Sequence, residues 1–175
     1  MESLFDSRWV GPIWFSRFRE RLWKHWREQW GSGAQYTKAV LDFLEDMGKE
    51  EGCSVEREKS KRDMVWLKGD RLVAHIEHEN NGDDWDYLRE HEIEDLLRTD
   101  ARLKVLITYV RKNRYPVKEY SDGLGDILRE REGDRSEYLL VVAPWHALEA
   151  ADFVAHYWRP SYEHELLVRP SGGNS

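Results

Sequence analysis

Residues 62–80 read RDMVWLKGDRLVAHIEHEN, and the two halves of this stretch are strand-like on either side of Gly69 and Asp70. DMVWLK and RLVAHIEHEN are rich in β-branched, aromatic and aliphatic residues, and a Gly-Asp pair between two such runs is a hairpin signal. Because side chains alternate along a strand, Leu72, Ala74 and Ile76 share one face of the second run. Val73, His75, Glu77 and Glu79 share the other. The connection decides what stands opposite these acids. A three-residue loop of Gly69, Asp70 and Arg71 sets Lys68 against Leu72 and Asp63 against Glu77. A two-residue Gly69-Asp70 turn sets Arg62 against Glu77 instead, unless a bulge corrects the register.

Working outward, residues 53–58 (CSVERE) give a weaker strand that extends the pair to a three-stranded meander. Residues 32–52 predict a helix opened by Ser32 and Gln35 and closed by Gly48, with Tyr36, Val40, Leu41, Leu44 and Met47 as its core face. After Asn80, Asn81 and Gly82, Asp83 and Asp84 are placed to cap a helix over residues 85–97. LKVLITYV, residues 103–110, is the almost unbroken apolar run of a strand covered on both faces, and the helix before it suits a parallel crossover. A helix over 121–131, a buried strand at 138–143, a short helix at 147–153 and a closing hairpin (FVAHYWR, YEHELLVR) complete the pattern. This is an α/β fold with a mixed sheet flanked by helices.

Residues 11–30 predict an additional aromatic helix at the N-terminal end, with Pro12 in its first turn and Gly31 beyond it. Trp14, Phe18, Leu22 and Trp26 recur every four residues, Phe15 and Trp30 widen the stripe, and Arg17, Arg21, Lys24 and Arg27 fill the rest. The stripe reads as core covered by snorkelling basic side chains, with a homo-oligomer or partner interface or a nucleic-acid stacking arm as the alternatives. The expected organisation is a helical extension over 1–31 packed on one α/β domain over 32–170, followed by a flexible tail at 171–175.

Composition narrows the classes. A net charge of -7, with 27 basic and 34 acidic residues, argues against a nonspecific nucleic-acid coat, which needs a broad positive surface. It leaves room for carboxylates that hold a metal. One cysteine, Cys53, excludes an internal disulfide and a multi-thiolate zinc site. No apolar run is long enough for a spanning helix and no secretory signal opens the chain, so no membrane partner and a cytoplasmic location are expected. Gly123 and Gly125 in SDGLGD do not form a nucleotide fingerprint. His156 and His164 lie in the final strands with no recognisable carboxylate or cysteine partner and read as structural.

The chemistry therefore concentrates on Asp63, Glu77 and Glu79. Converging carboxylates repel one another, and oxygen-only ligands favour Mg²⁺ or Mn²⁺. The backbone carbonyl of His78 could add a ligand between the glutamates. An acid-x-acid on a strand is also what the solvated face of an antiparallel sheet presents, and His75 reads as a surface histidine sooner than as a proton-transfer group.

The acid on one strand followed by an acid-x-basic position on the next, within the order helix, three-stranded meander, helix, strand, resembles the PD-(D/E)XK nuclease superfamily over residues 32–143. That resemblance implies a restriction endonuclease-like fold and metal-dependent hydrolysis of nucleic acid, DNA in the first place. It implies Asp63 and Glu77 as metal ligands and puts Glu79 where the family carries lysine, as general base or further ligand. Arg89 or Lys61 could supply the missing positive charge, and Glu45 on the first core helix is a candidate additional ligand. The alternatives are a catalytically inactive nuclease-like binding or assembly module and a metal-binding protein that is not a nuclease.

Overall fold

A computed structural model of the chain describes residues 4–26, 33–59, 62–80, 82, 84–110, 117–130, 134–144, 153–159 and 163–167. Seven strands form one sheet in sequence order: β1 (Ser54–Lys59), β2 (Arg62–Lys68), β3 (Arg71–Glu79), β4 (Leu103–Val110), β5 (Glu137–Pro144), β6 (Val154–Trp158) and β7 (His164–Leu167). The meander β1-β2-β3 is antiparallel, β3-β4 and β4-β5 are parallel, and β5-β6-β7 is antiparallel. Parallel pairing needs a crossover, and helices occupy both of the connections where the chain makes one. Every residue of β4 is buried, as its apolar run predicts for a central strand.

Among the described residues, four helices cover the two faces. On one face, α1 (Val10–Trp26) and α2 (Gly33–Glu50) bring Trp14, Phe18, Leu22, Val40, Leu44 and Met47 against the sheet in one cluster with Met64, Trp66, Ala74, Ile76, Val105 and Ile107. On the other, α3 is a continuous helix of three segments, Trp85–Tyr87, a π-helical Leu88–Ile93 and Glu94–Leu97. It packs with α4 (Val117–Arg129) over Leu106, Val110, Leu140, Val142 and Trp158. The N-terminal aromatic helix is thus a core element: Trp14 and Phe18 stack at 5.2 Å, and both are fully buried. Its described apolar stripe points inward and is not offered to a partner. The side chains of Trp26 and Tyr36, all of Trp30 and Lys61, residues 145–152 of the expected short helix and the tail at 171–175 lie outside the described residues.

Gly48 acts differently from its sequence reading. Gly48 does not end α2, which continues to Glu50. A Cβ there would stand 2.7 Å from Val55 Cγ2 and 2.8 Å from Trp66 Cε2, so glycine lets the helix lie close on β1 and β2. The stop comes at Gly52, whose φ of 76° is the left-handed conformation of a helix C-terminus. Its N–H donates to the Lys49 carbonyl at 3.0 Å and that of Cys53 to the Gly48 carbonyl at 3.0 Å.

The start of α1 is tied to the sheet by Glu137, a buried carboxylate. It accepts from the N–H of Val10 at 2.9 Å, the N–H of Gly11 at 2.7 Å and the Tyr157 hydroxyl at 2.7 Å. Helix N-termini expose N–H groups with no intrahelical acceptor, and an anion is their natural partner. Lys104, the one charged residue in β4, is satisfied in the same way by Asp134 at 3.1 Å and the Tyr138 hydroxyl at 3.0 Å.

Candidate active site

The register of β2 against β3 brings the first acid to the second. Lys68 pairs with Arg71 and Leu67 with Leu72, so the turn is the two-residue Gly69-Asp70 form, with Gly69 at a φ of 63°. Trp66 then pairs with Ala74, Val65 with His75 and Met64 with Ile76. Val73 is the extra residue of a bulge, and the shift it introduces sets Asp63 against Glu77. The three-residue loop is therefore not the route to this register. Val73 also leaves the face of the acids and joins the core with Ala74 and Ile76, because the bulge breaks the alternation.

Asp63 and Glu77 close the end of the β2-β3 ladder with side chains. The Asp63 N–H donates to Glu77 Oε2 at 3.1 Å, and the His78 N–H donates to Asp63 Oδ2 at 2.8 Å. Glu79, two residues along and half-buried, lies on the same face beside Thr108 of β4. The group sits at the carboxyl end of β3, where the antiparallel meander meets the parallel half of the sheet. Carboxyl ends of parallel strands are where open α/β sheets hold their ligands.

His75 is fully buried, not a surface residue. Its Nε2 lies 2.5 Å from Glu77 Oε1 and its Nδ1 3.2 Å from Thr99 Oγ1. The Thr99 hydroxyl donates to the Leu96 carbonyl at 3.0 Å, which leaves its oxygen to accept from His75 Nδ1–H. With that hydrogen assigned to Nδ1, Nε2 and Oε1 share a further proton, and the pair as a whole is neutral. Burial pushes Glu77 up to about 8, against the opposing effect of the Asp63 N–H and reinforced by the Asp63 charge. Burial likewise holds His75 down at about 4. His78 points to the opposite face, where its Nε2 is 3.1 Å from the Tyr109 hydroxyl.

A further acid feels the charge of this group. Glu92, in the π-helical segment of α3, is pushed up to about 7 by burial and then by the charges of Glu77, Asp63 and Glu79. Its sequence signal is its place between Leu88 and Leu96 at intervals of four, which puts a carboxylate on the buried stripe of the helix. The Tyr87 hydroxyl is raised by Glu92 first, then by burial and by Glu79 and Asp63. π-helical turns inside α-helices recur at functional sites.

No protein-family model and no curated protein matches the chain.

Glu45 does not join the acids. It lies on α2, across the sheet from them, and pairs with Arg57 Nε at 2.6 Å and with Lys49. Arg89 is exposed and pairs with Asp86 at 3.5 Å and Glu90 at 3.3 Å. Neither supplies what the sequence pattern assigned to it. Among the described residues no group of three or more His, Cys, Asp or Glu side chains is arranged to hold a metal ion by itself. Asp63 and Glu77, whose carboxylates each accept a backbone N–H from the other's strand, are the donor type of Mg²⁺, which keeps several waters and is bound through one or two protein carboxylates together with substrate phosphates. Acids with raised proton affinity, here the buried Glu77 and the half-buried Glu92, are also the charge pattern that a divalent cation relieves.

Proposed function

We propose that this chain is a divalent-metal-dependent phosphodiesterase acting on nucleic acid, DNA in the first place, with a restriction endonuclease-like fold. The observation that carries the reading is the apposition of Asp63 and Glu77, whose carboxylates each accept a backbone N–H from the other's strand, with Glu79 two residues along on the same face. Asp63, Glu77 and Glu79 stand at the carboxyl end of β3, and burial together with their charges raises the proton affinity of the half-buried Glu92. The element order and the antiparallel-then-parallel strand order support the fold side of the proposal. Asp63 and Glu77 would hold Mg²⁺ or Mn²⁺, which when bound lowers the pKa of coordinated water and polarises a phosphate oxygen. Glu79, in place of the lysine usual in the resembling family, would accept a proton from attacking water or serve as a further ligand.

A second reading, an inactive nuclease-like binding module, is favoured by a different observation. Both oxygens of Glu77 and one of Asp63 already have hydrogen-bond partners within the chain, as in a ladder end closed by side chains alone.

Cleavage of plasmid and single-stranded DNA, assayed with Mn²⁺, Mg²⁺ and EDTA, separates the two. The nuclease reading expects metal-dependent cleavage that falls to background in Asp63→Ala and Glu77→Ala and persists in Glu45→Ala, with all three variants folded. Cleavage retained in both site variants rejects the assignment, and no cleavage by the wild type under any of these conditions favours the binding module.

A further inference from the structure

We infer that His75 is the positioning residue of the acidic site: it fixes the plane of the Glu77 carboxylate, through a hydrogen bond that is itself braced by Thr99. The inference rests on the metal-binding reading of Asp63 and Glu77 and adds a residue outside their acid pattern.

The geometry is that of a chain with fixed ends. His75 and Glu77 stand two apart on one face of β3, with side chains about 7 Å apart at their bases, and they meet only because each leans toward the other. Both are buried, His75 at 0% and Glu77 at 1% exposure. A glutamate left to itself turns about its terminal bond. Here Oε1 is held by His75 Nε2 at 2.5 Å and Oε2 by the Asp63 N–H at 3.1 Å, and two anchors on two oxygens remove that rotation. Each oxygen keeps a second lone pair for a ligand.

The ring is held in turn. Its Nδ1 is 3.2 Å from Thr99 Oγ1, and Thr99 is anchored to the Leu96 carbonyl at the end of α3. The helix that carries Glu92 therefore also sets the orientation of Glu77. Partners that orient a metal ligand in this way affect metal affinity or activity by about 10- to 100-fold when removed.

The test is calorimetric titration with Mn²⁺ at one pH of the wild type, His75→Leu, His75→Gln and Thr99→Val, with folding followed by circular dichroism and DNA cleavage by kcat and KM. His75→Leu should weaken Mn²⁺ binding about tenfold or more and lower kcat with little change in KM for DNA. His75→Gln, which keeps a polar group at the position of Nε2, should recover most of the loss. Thr99→Val should fall between them and carries the test if His75→Leu does not fold. A purely structural histidine would lower the melting temperature while leaving the Mn²⁺ affinity of the folded variants unchanged, and that result overturns the inference while sparing the metal reading. A wild-type protein that binds no Mn²⁺ overturns both.

Discussion

Glu92 shows how a single carboxylate reports on its neighbours. Its folded form takes up a proton near pH 7, against an ordinary value of 4.5. Between those values the folded state binds more protons than the unfolded one, so this group's contribution is fully present below pH 4.5 and is lost as pH rises through about 7. Glu77 acts in the same direction up to about 8. Replacing Glu92 by glutamine removes the charge and retains most of the shape. In EDTA, Glu92→Gln should therefore raise the melting temperature by roughly a few degrees at pH 8 and leave it nearly unchanged at pH 5. Identical melting at pH 8 would mean that Glu92 does not feel the other acids. His156 carries the opposite sign: burial and the neighbouring His164 hold it down at about 4, so its contribution is present above pH 6.5 and fades as pH falls toward 4.

At the scale of elements, the contact of α2 with the meander sets two effects against each other. Alanine is a better helix former than glycine by about 1 kcal/mol, and Gly48 lies inside α2, which would make Gly48→Ala stabilising on propensity alone. The added Cβ would press on Val55 and on the Trp66 ring at 2.7 and 2.8 Å. Both neighbours are stiff and belong to paired strands, and overpacking of this kind costs about 1–3 kcal/mol. The contact should win, so Gly48→Ala is expected to lower stability by about 1–2 kcal/mol in urea unfolding. An increase would show that α2 can lift from the sheet without loss. The β2-β3 hairpin illustrates the converse, in which a local irregularity is favourable. The bulge at Val73 moves an apolar side chain into the core and turns Asp63 toward Glu77 in one step.

Across the whole molecule, β5 and β6 are joined to the start of α1 through Glu137. Glu137→Ala would leave the N–H groups of Val10 and Gly11 and the hydroxyl of Tyr157 without their acceptor. Each such buried group costs about 1–3 kcal/mol, so a loss of roughly 3 kcal/mol or more, about 6 °C or more in melting temperature, is expected. A change of less than about 1 °C in thermal unfolding would show that α1 does not depend on this anchor. The placement of α1 also accounts for the concentration of aromatic residues near the N-terminus: Trp14, Phe15 and Phe18 fill the face of the sheet opposite the acids. In the described residues no helix is long and apolar enough to cross a membrane.

The sequence by itself determined most of the strands and helices among the described residues, although α4 begins at Val117 and not at the expected Ser121, and it determined which side chains share a face along an unbroken stretch of strand. Alternation alone puts His75, Glu77 and Glu79 together, and the apolar run at 103–110 alone makes β4 central, because these are properties of a repeat along the backbone. The tertiary structure decided whatever depends on sums over distant contacts. Whether Asp63 meets Glu77 turns on a bulge, and the bulge turns on Val73 finding room in the core. Glu45 lies away from the acids because its helix covers the opposite face of the sheet. His75 is buried because α3 lies over it and offers Thr99. Gly48 prolongs a helix that its residue type would end, since the close approach of Trp66 requires the missing side chain. No local pattern contains these outcomes, because each is set by which surfaces of the chain pack together.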